Sequence, residues 1–287
     1  MLKNSLRKLI KDPQEDVYVK GDEGLDENDI IVPIMGPTGV GKSTSCTQQL
    51  QHYVVPIKEE LAERYKLSGR NLVLVDTPGF DDTNISDAEI LRRIALWLAS
   101  AYGRNMKVSG VVYMYPIYPN RMTRNDCSNV KVFRKICGDG DLSRVIIATT
   151  RWDICPTDTG TKREEELEKN FWRNLLDQSQ SQGTATMKRL PNGPEHAWNI
   201  IDAILEKHGH AEVDGIILNI QHQLVTKGKK LQQTDAAIEL RRKLQVLLNE
   251  SSSSVKSRRE NLEKVVQQVK ELKIPFSSRI KSFFGFW

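Results

Sequence analysis

The chain has 287 residues, 39% of them hydrophobic and 28% charged, a composition expected of a soluble protein with one large domain and an appendage. No apolar run is long enough to span a bilayer, and the basic start "MLKNSLRKLIKDP" lacks the apolar stretch of a secretory signal. The formal charge of +5 is uneven: residues 211–287 carry 14 Lys/Arg against 8 Asp/Glu, whereas residues 1–210 carry 28 against 29.

Cys46, Cys127, Cys137 and Cys155 form no C-x-x-C pair, and the five histidines are scattered. A metal held by nitrogen and sulfur is not expected, and the cysteines read as reduced thiols of a cytoplasmic protein. Residues 1–28 form a charged tail in which "KGDEGLDEND" reads as a solvated linker.

From Asp29 short apolar runs alternate with amphipathic stretches. The runs are Ile30–Met35, Leu72–Val75, Gly110–Met114, Val145–Thr150 and Thr184–Leu190. Between them lie helical patterns: Ile90, Leu91, Ile94, Ala95 and Leu98, then Asn129–Cys137, Glu164–Leu176 and Glu195–His208. Strands separated by helices predict an α/β fold with a mostly parallel sheet covered on both faces, over residues 29–210. Residues 211–287 predict a helical extension, with long helices over Ile216–Leu248 and Val255–Leu272 around "NESSSS". In the second helix Leu262, Val265, Val269 and Leu272 repeat at coiled-coil spacing. The end "IPFSSRIKSFFGFW" is apolar, aromatic and basic together.

Three motifs carry chemistry. Gly36-x-x-x-x-Gly41-Lys42-Ser43 matches the Walker A pattern between an apolar strand and a helical pattern. Its glycines let backbone N–H groups converge on phosphate oxygens, Lys42 reaches the β and γ phosphates, and the Ser43 hydroxyl coordinates Mg²⁺. The loop set is Gly36, Thr38, Gly39, Val40, Gly41, Lys42, Ser43 and Thr44; the bland alternative is a glycine turn with a lysine cap. In "NLVLVDTPGF" Asp76 ends a strand and suits the outer contact to Mg²⁺, while the Pro78-Gly79 turn offers the Gly79 N–H to a γ-phosphate. An ordinary strand ending in a Pro-Gly turn is the competing reading. In "ATTRWDICP" the carboxylate of Asp153 can accept both N1–H and N2–H₂ of guanine, a pair adenine lacks. Alone it would read as a turn former.

"GPTGVGKST", "LVDTPGFDD", "TTRWD" and "AWNII" together resemble the fungal G-domain proteins related to septins, to the plastid-import receptor GTPases and to the immunity-associated nucleotide-binding proteins, over about Asp29 to His210. The resemblance implies a Ras-like G domain, Mg²⁺-dependent GTP and GDP binding, and slow GTP hydrolysis often coupled to self-association. Carried across, Gly36, Gly41, Lys42 and Ser43 bind phosphate and magnesium, Asp76 and Gly79 form the second switch, and Asp153 reads guanine.

Three departures follow. Thr150 and Arg151 stand where many G domains have Asn-Lys, so Arg151 is expected to lay its planar side chain over the base. No clear fifth motif appears, although Thr184–Leu190 lies where it belongs. Phe80 stands where hydrolysing Ras-type proteins place the water-orienting glutamine.

Ser45-Cys46-Thr47 matches a first-switch segment of relatives, but Thr47 lies only four positions after Ser43. Cys46, Leu50, Tyr53 and Val54 fall on one helical face, and "LQHYVV" also passes as a strand. The helix is favoured because a phosphate loop needs its helix dipole, which predicts a domain without a working first switch and with one strand lost. Two other classes stay open, a P-loop ATPase or kinase and a catalytically weak nucleotide-binding scaffold. The tail helices suit oligomerisation or packing on the domain. The aromatic-basic end suits contact with an anionic membrane surface or docking on the protein itself. Nucleic acid is not an expected partner.

Overall fold

The apolar runs become strands in a computed structural model that describes residues 25–42, 50–119, 121–177, 183–209, 215–250 and 255–272. In chain order its elements are β1 (Ile30–Met35), β2 (Gln51–Pro56), α1 (Glu59–Arg64), β3 (Asn71–Asp76), α2 (Asp87–Gly103), β4 (Val111–Pro116), α3 (Arg124–Cys137), β5 (Val145–Thr150), α4 (Thr157–Glu166), β6 (Thr186–Arg189), α5 (Pro194–Gly209), α6 (Asp235–Glu250) and α7 (Val255–Glu271). Among the described residues the sheet has the order β2-β3-β1-β4-β5-β6. All pairs are parallel except β2 with β3, which is antiparallel.

Every residue of β1 and β5 is buried, as expected of a parallel sheet covered on both faces. Alternate side chains face opposite layers. Ile31, Met35, Val73 and Val75 pack against α2, α3 and α6, whereas Ile30, Val32, Leu72 and Leu74 pack against α1 and α5. α2 starts where the Ser86 side chain accepts from the Glu89 N–H at 3.1 Å, and α3 starts with a reciprocal capping box between Thr123 and Asp126.

The expected helix through Leu50, Tyr53 and Val54 does not form. Leu50 directly precedes β2, and Tyr53 and Val54 lie within it, where Tyr53, Val54 and Val55 stand opposite Leu74, Val73 and Leu72. β-branched and aromatic side chains fit this half-buried edge, so the strand expected to be lost is present. Cys46, Thr47 and the rest of 43–49 lie outside the described residues, as do most of the charged N-terminal tail and the aromatic-basic end.

Two further expectations change. The Glu164–Leu176 helix is interrupted by a wide turn at Leu167–Phe171. That turn places Trp172 in the core, edge-on to Tyr115 at 5.5 Å between ring centres. The single long helix over Ile216–Leu248 is broken between Asn219–Gln221 and α6. The breaks are a wide turn at His222–Thr226, Gly228 at φ +61° and a 3₁₀ turn at Leu231–Gln233, and glycine meets no steric penalty at that φ.

α6 lies along α3, and α7 rests on α2 and α6. Leu240, Leu244, Val265 and Leu272 thereby join the first core layer. The coiled-coil seam is thus partly used within the chain, although Leu262 stays half exposed. Among the described residues no helix is long and apolar enough to cross a membrane.

Candidate functional site

Parallel strands deliver the loops at their carboxyl ends to one edge of the sheet. Between β1 and β4 the chain changes the direction in which it adds strands, and in open α/β sheets ligands sit at that switch point. The loops after β1, β3 and β5 meet there.

The loop after β1 turns through positive φ at Gly36, Gly39 and Gly41. At Gly36, with φ +141°, a Cβ would lie 2.3 Å from the Met114 carbonyl oxygen of β4, so only glycine lets the chain pass. Lys42, 5% exposed, folds back inside the turn. Its ammonium donates to the carbonyls of Gly36 at 2.9 Å and Pro37 at 2.6 Å. The expected site residues Ser43 and Thr44 lie outside the described residues.

The loop after β3 lies directly on this turn. Asp76, 3% exposed, ends β3 opposite Ile34, and the Thr77 hydroxyl donates to the Ile34 carbonyl at 2.8 Å. The Thr38 N–H donates to the Phe80 carbonyl at 2.9 Å, and the Thr38 hydroxyl donates to the Gly79 carbonyl at 3.1 Å. Gly79 approaches so closely that a Cβ there would lie 2.6 Å from the Thr38 nitrogen. Phe80 is 1% exposed and belongs to the core cluster beneath the loop.

The loop after β5 closes the third side. The Thr150 hydroxyl donates to the Val40 carbonyl at 2.9 Å, and the Arg151 guanidinium donates to the Gly39 carbonyl. Arg151, expected over a base, is therefore drawn onto the glycine loop, from a left-handed backbone position at φ +64°. Asp153 stands exposed on the 3₁₀ turn Trp152–Ile154. That turn is held by the Trp152 indole N–H, which donates to the Thr149 carbonyl at 3.0 Å.

Arg189, at the end of β6, stacks 4.3 Å from the Trp152 ring centre and pairs with Glu164. Nothing local in the sequence singles out Trp152 or Arg189 as supports. Trp152 sits within "TTRWD" and Arg189 within the run assigned to the fifth-motif region, but their pairing spans 37 positions and has no local signature.

This strand order, with an antiparallel second strand and a glycine loop after the first, decides the architecture. It is a G-domain fold. No protein-family model matches the sequence, and no curated protein matches it. Solved structures with a similar chain path include translation elongation factor SelB from Methanococcus maripaludis in complex with the GTP analogue GppNHp, at 14% identity and a TM-score of 0.43 over 66% of this chain. The chain spans only 36% of that factor's length. A dimerisation-deficient mutant of Toc33 from Arabidopsis thaliana aligns at 15% identity and a TM-score of 0.46, over 71% of this chain and 89% of its own. A third structure, described as showing that dimerisation is important for the GTPase activity of the chloroplast translocon components atToc33 and psToc159, aligns at 14% and 0.45, over 76% and 94%.

Proposed function

We propose that this G domain binds a guanine nucleotide with Mg²⁺ and hydrolyses GTP slowly. The observation that carries the reading is the convergence on one glycine loop of Lys42 from within, Thr38–Gly79–Phe80 contacts from the β3 side, and Thr150 and Arg151 from the β5 side.

Gly36, Thr38, Gly39, Val40, Gly41 and Lys42, with Ser43 and Thr44 next in sequence, would line the phosphates. Asp153, exposed and anchored by Trp152, would take the guanine edge. A buried carboxylate at the end of the strand beside the loop is a hard oxygen donor suited to Mg²⁺, so Asp76 and the Ser43 hydroxyl would hold the ion. When bound, the ion supplies charge neutralisation for the phosphate oxygens.

Slow turnover follows from Phe80. A ring packed in the core cannot orient a water at the phosphate, and no glutamine stands in its place.

Equilibrium binding of fluorescent GTP with Mg²⁺, competed by GTP, GDP and ATP, tests the reading. Displacement by the guanine nucleotides alone supports it; equal displacement by ATP favours an ATPase or kinase, and absent binding favours a scaffold. Sedimentation with GDP and with a non-hydrolysable GTP analogue tests the self-association that the resemblance implies. Flotation with anionic vesicles tests the membrane contact expected of the aromatic-basic end.

A further inference from the structure

The loop that follows Gly79 is held by a residue 162 positions away. Lys243 on α6 has a side chain only 2% exposed. Its ammonium donates to Asp81 Oδ1, Asp87 Oδ2 and Asn129 Oδ1, each at 2.6 Å, using all three of its protons.

Asp81 is fixed from further sides. It sits at φ +62°, its N–H donates to Asp87 Oδ1 at 2.9 Å, and its Oδ2 accepts from the Asn129 side chain. The second tail helix reaches the same loop, because Glu271 at the end of α7 accepts from the Ser86 hydroxyl that caps α2. From Asp81 the chain runs through Phe80 and Gly79, whose carbonyls accept from Thr38 of the glycine loop.

A buried ion pair adds little stability over well-packed apolar residues, but a buried network with every ammonium proton satisfied rigidifies the segments that it joins. We infer that Lys243 is a latch through which α6 and α7 set the conformation of the loop after Gly79, and thereby tune the preference of the phosphate site for a triphosphate over a diphosphate. The inference rests on the nucleotide reading above. Only the triphosphate would engage the Gly79 N–H, so a loop held by Lys243 is preorganised for it. By thermodynamic reciprocity the triphosphate then tightens the docking of α6.

The test uses the full chain, its Lys243→Met variant and its Asp81→Asn variant. Affinities for GDP and for a non-hydrolysable GTP analogue are measured with Mg²⁺, together with amide exchange over Asp235–Glu250 under each nucleotide. Both variants are expected to lower the analogue-to-GDP affinity ratio by about fivefold or more. In the wild type, the analogue is expected to slow exchange in α6 relative to GDP.

Should Lys243→Met fail to fold, Asp81→Asn carries the test: asparagine tolerates positive φ, and Lys243 keeps Asp87. A wild-type ratio in the folded variants, or α6 exchange indifferent to the nucleotide, would overturn the latch while leaving the nucleotide reading intact. Absence of any nucleotide binding by the wild type would overturn both.

Discussion

The Thr150 hydroxyl reaches the Val40 carbonyl at 2.9 Å, tying the end of β5 to the glycine loop across 110 positions of sequence. Thr150 is 5% exposed, so water cannot readily replace the bond. Thr150→Val keeps the shape and removes the donor, and is expected to cost about 1–3 kcal/mol, with weakened nucleotide binding. Thr150→Ser should retain most of both. Urea denaturation and nucleotide titration of the two variants check this.

Gly36→Ala should be far more damaging than its size suggests. The added methyl would meet the Met114 carbonyl at 2.3 Å and sit on a backbone at φ +141°. Strain and overpacking together are expected to cost about 2–4 kcal/mol. A denaturation midpoint equal to wild type would mean that the loop does not pass β4 as described.

Phe80→Gln is expected not to confer faster GTP hydrolysis on the proposed site, although glutamine is the residue type that Ras-type proteins place at this position. The position faces the core, so the amide would be buried in apolar surroundings or would pull the loop outward. We expect a stability loss of about 3 kcal/mol or more and unchanged single-turnover phosphate release. A rise in turnover with unchanged stability would show that the side chain can reach the phosphates.

Lys207 on α5 donates to the Ser143 carbonyl and to the Thr186 hydroxyl at 3.0 Å, bridging the strand ends. Burial holds its ammonium below the ordinary lysine range, with Asp141 opposing. The unfolded chain therefore binds more protons between the lowered and the ordinary value. Stability from this group should rise with pH through that alkaline window. Comparing wild type with Lys207→Met by denaturation across the window should show the stability difference moving in favour of the wild type as pH rises.

Much of this fold is legible in the sequence because local signals and tertiary role agree. Ile30–Met35 and Val145–Thr150 are apolar throughout, so their burial on both faces needs no further information, and the Walker A glycines mark the loop after β1. The helix expected through Gln51–Pro56 fails because the apolar residues of that segment satisfy both periods. What decided its state was pairing with Leu72–Leu74, a contact that periodicity does not encode. The break before α6 carried a local signal, Gly228 within "TKGKK", outweighed by the surrounding apolar pattern. At the site, the three motifs are marked by local pattern, whereas the bonds from Thr150 and Arg151 to the glycine loop join distant segments. Lys243 is the extreme case, since a lysine on an amphipathic helix ordinarily signals a solvated face.

The two terminal strands of the sheet have a consequence for how copies of this protein can meet. β2 ends in Pro56, which offers no backbone donor, and β6 is four residues long and carries Lys188 and Arg189. Short, proline-ended or cationic borders resist the addition of a further strand. Crowded copies should therefore stay clear of fibre-like stacking along the sheet, which leaves helices and loops as the surfaces through which an assembly would have to be built.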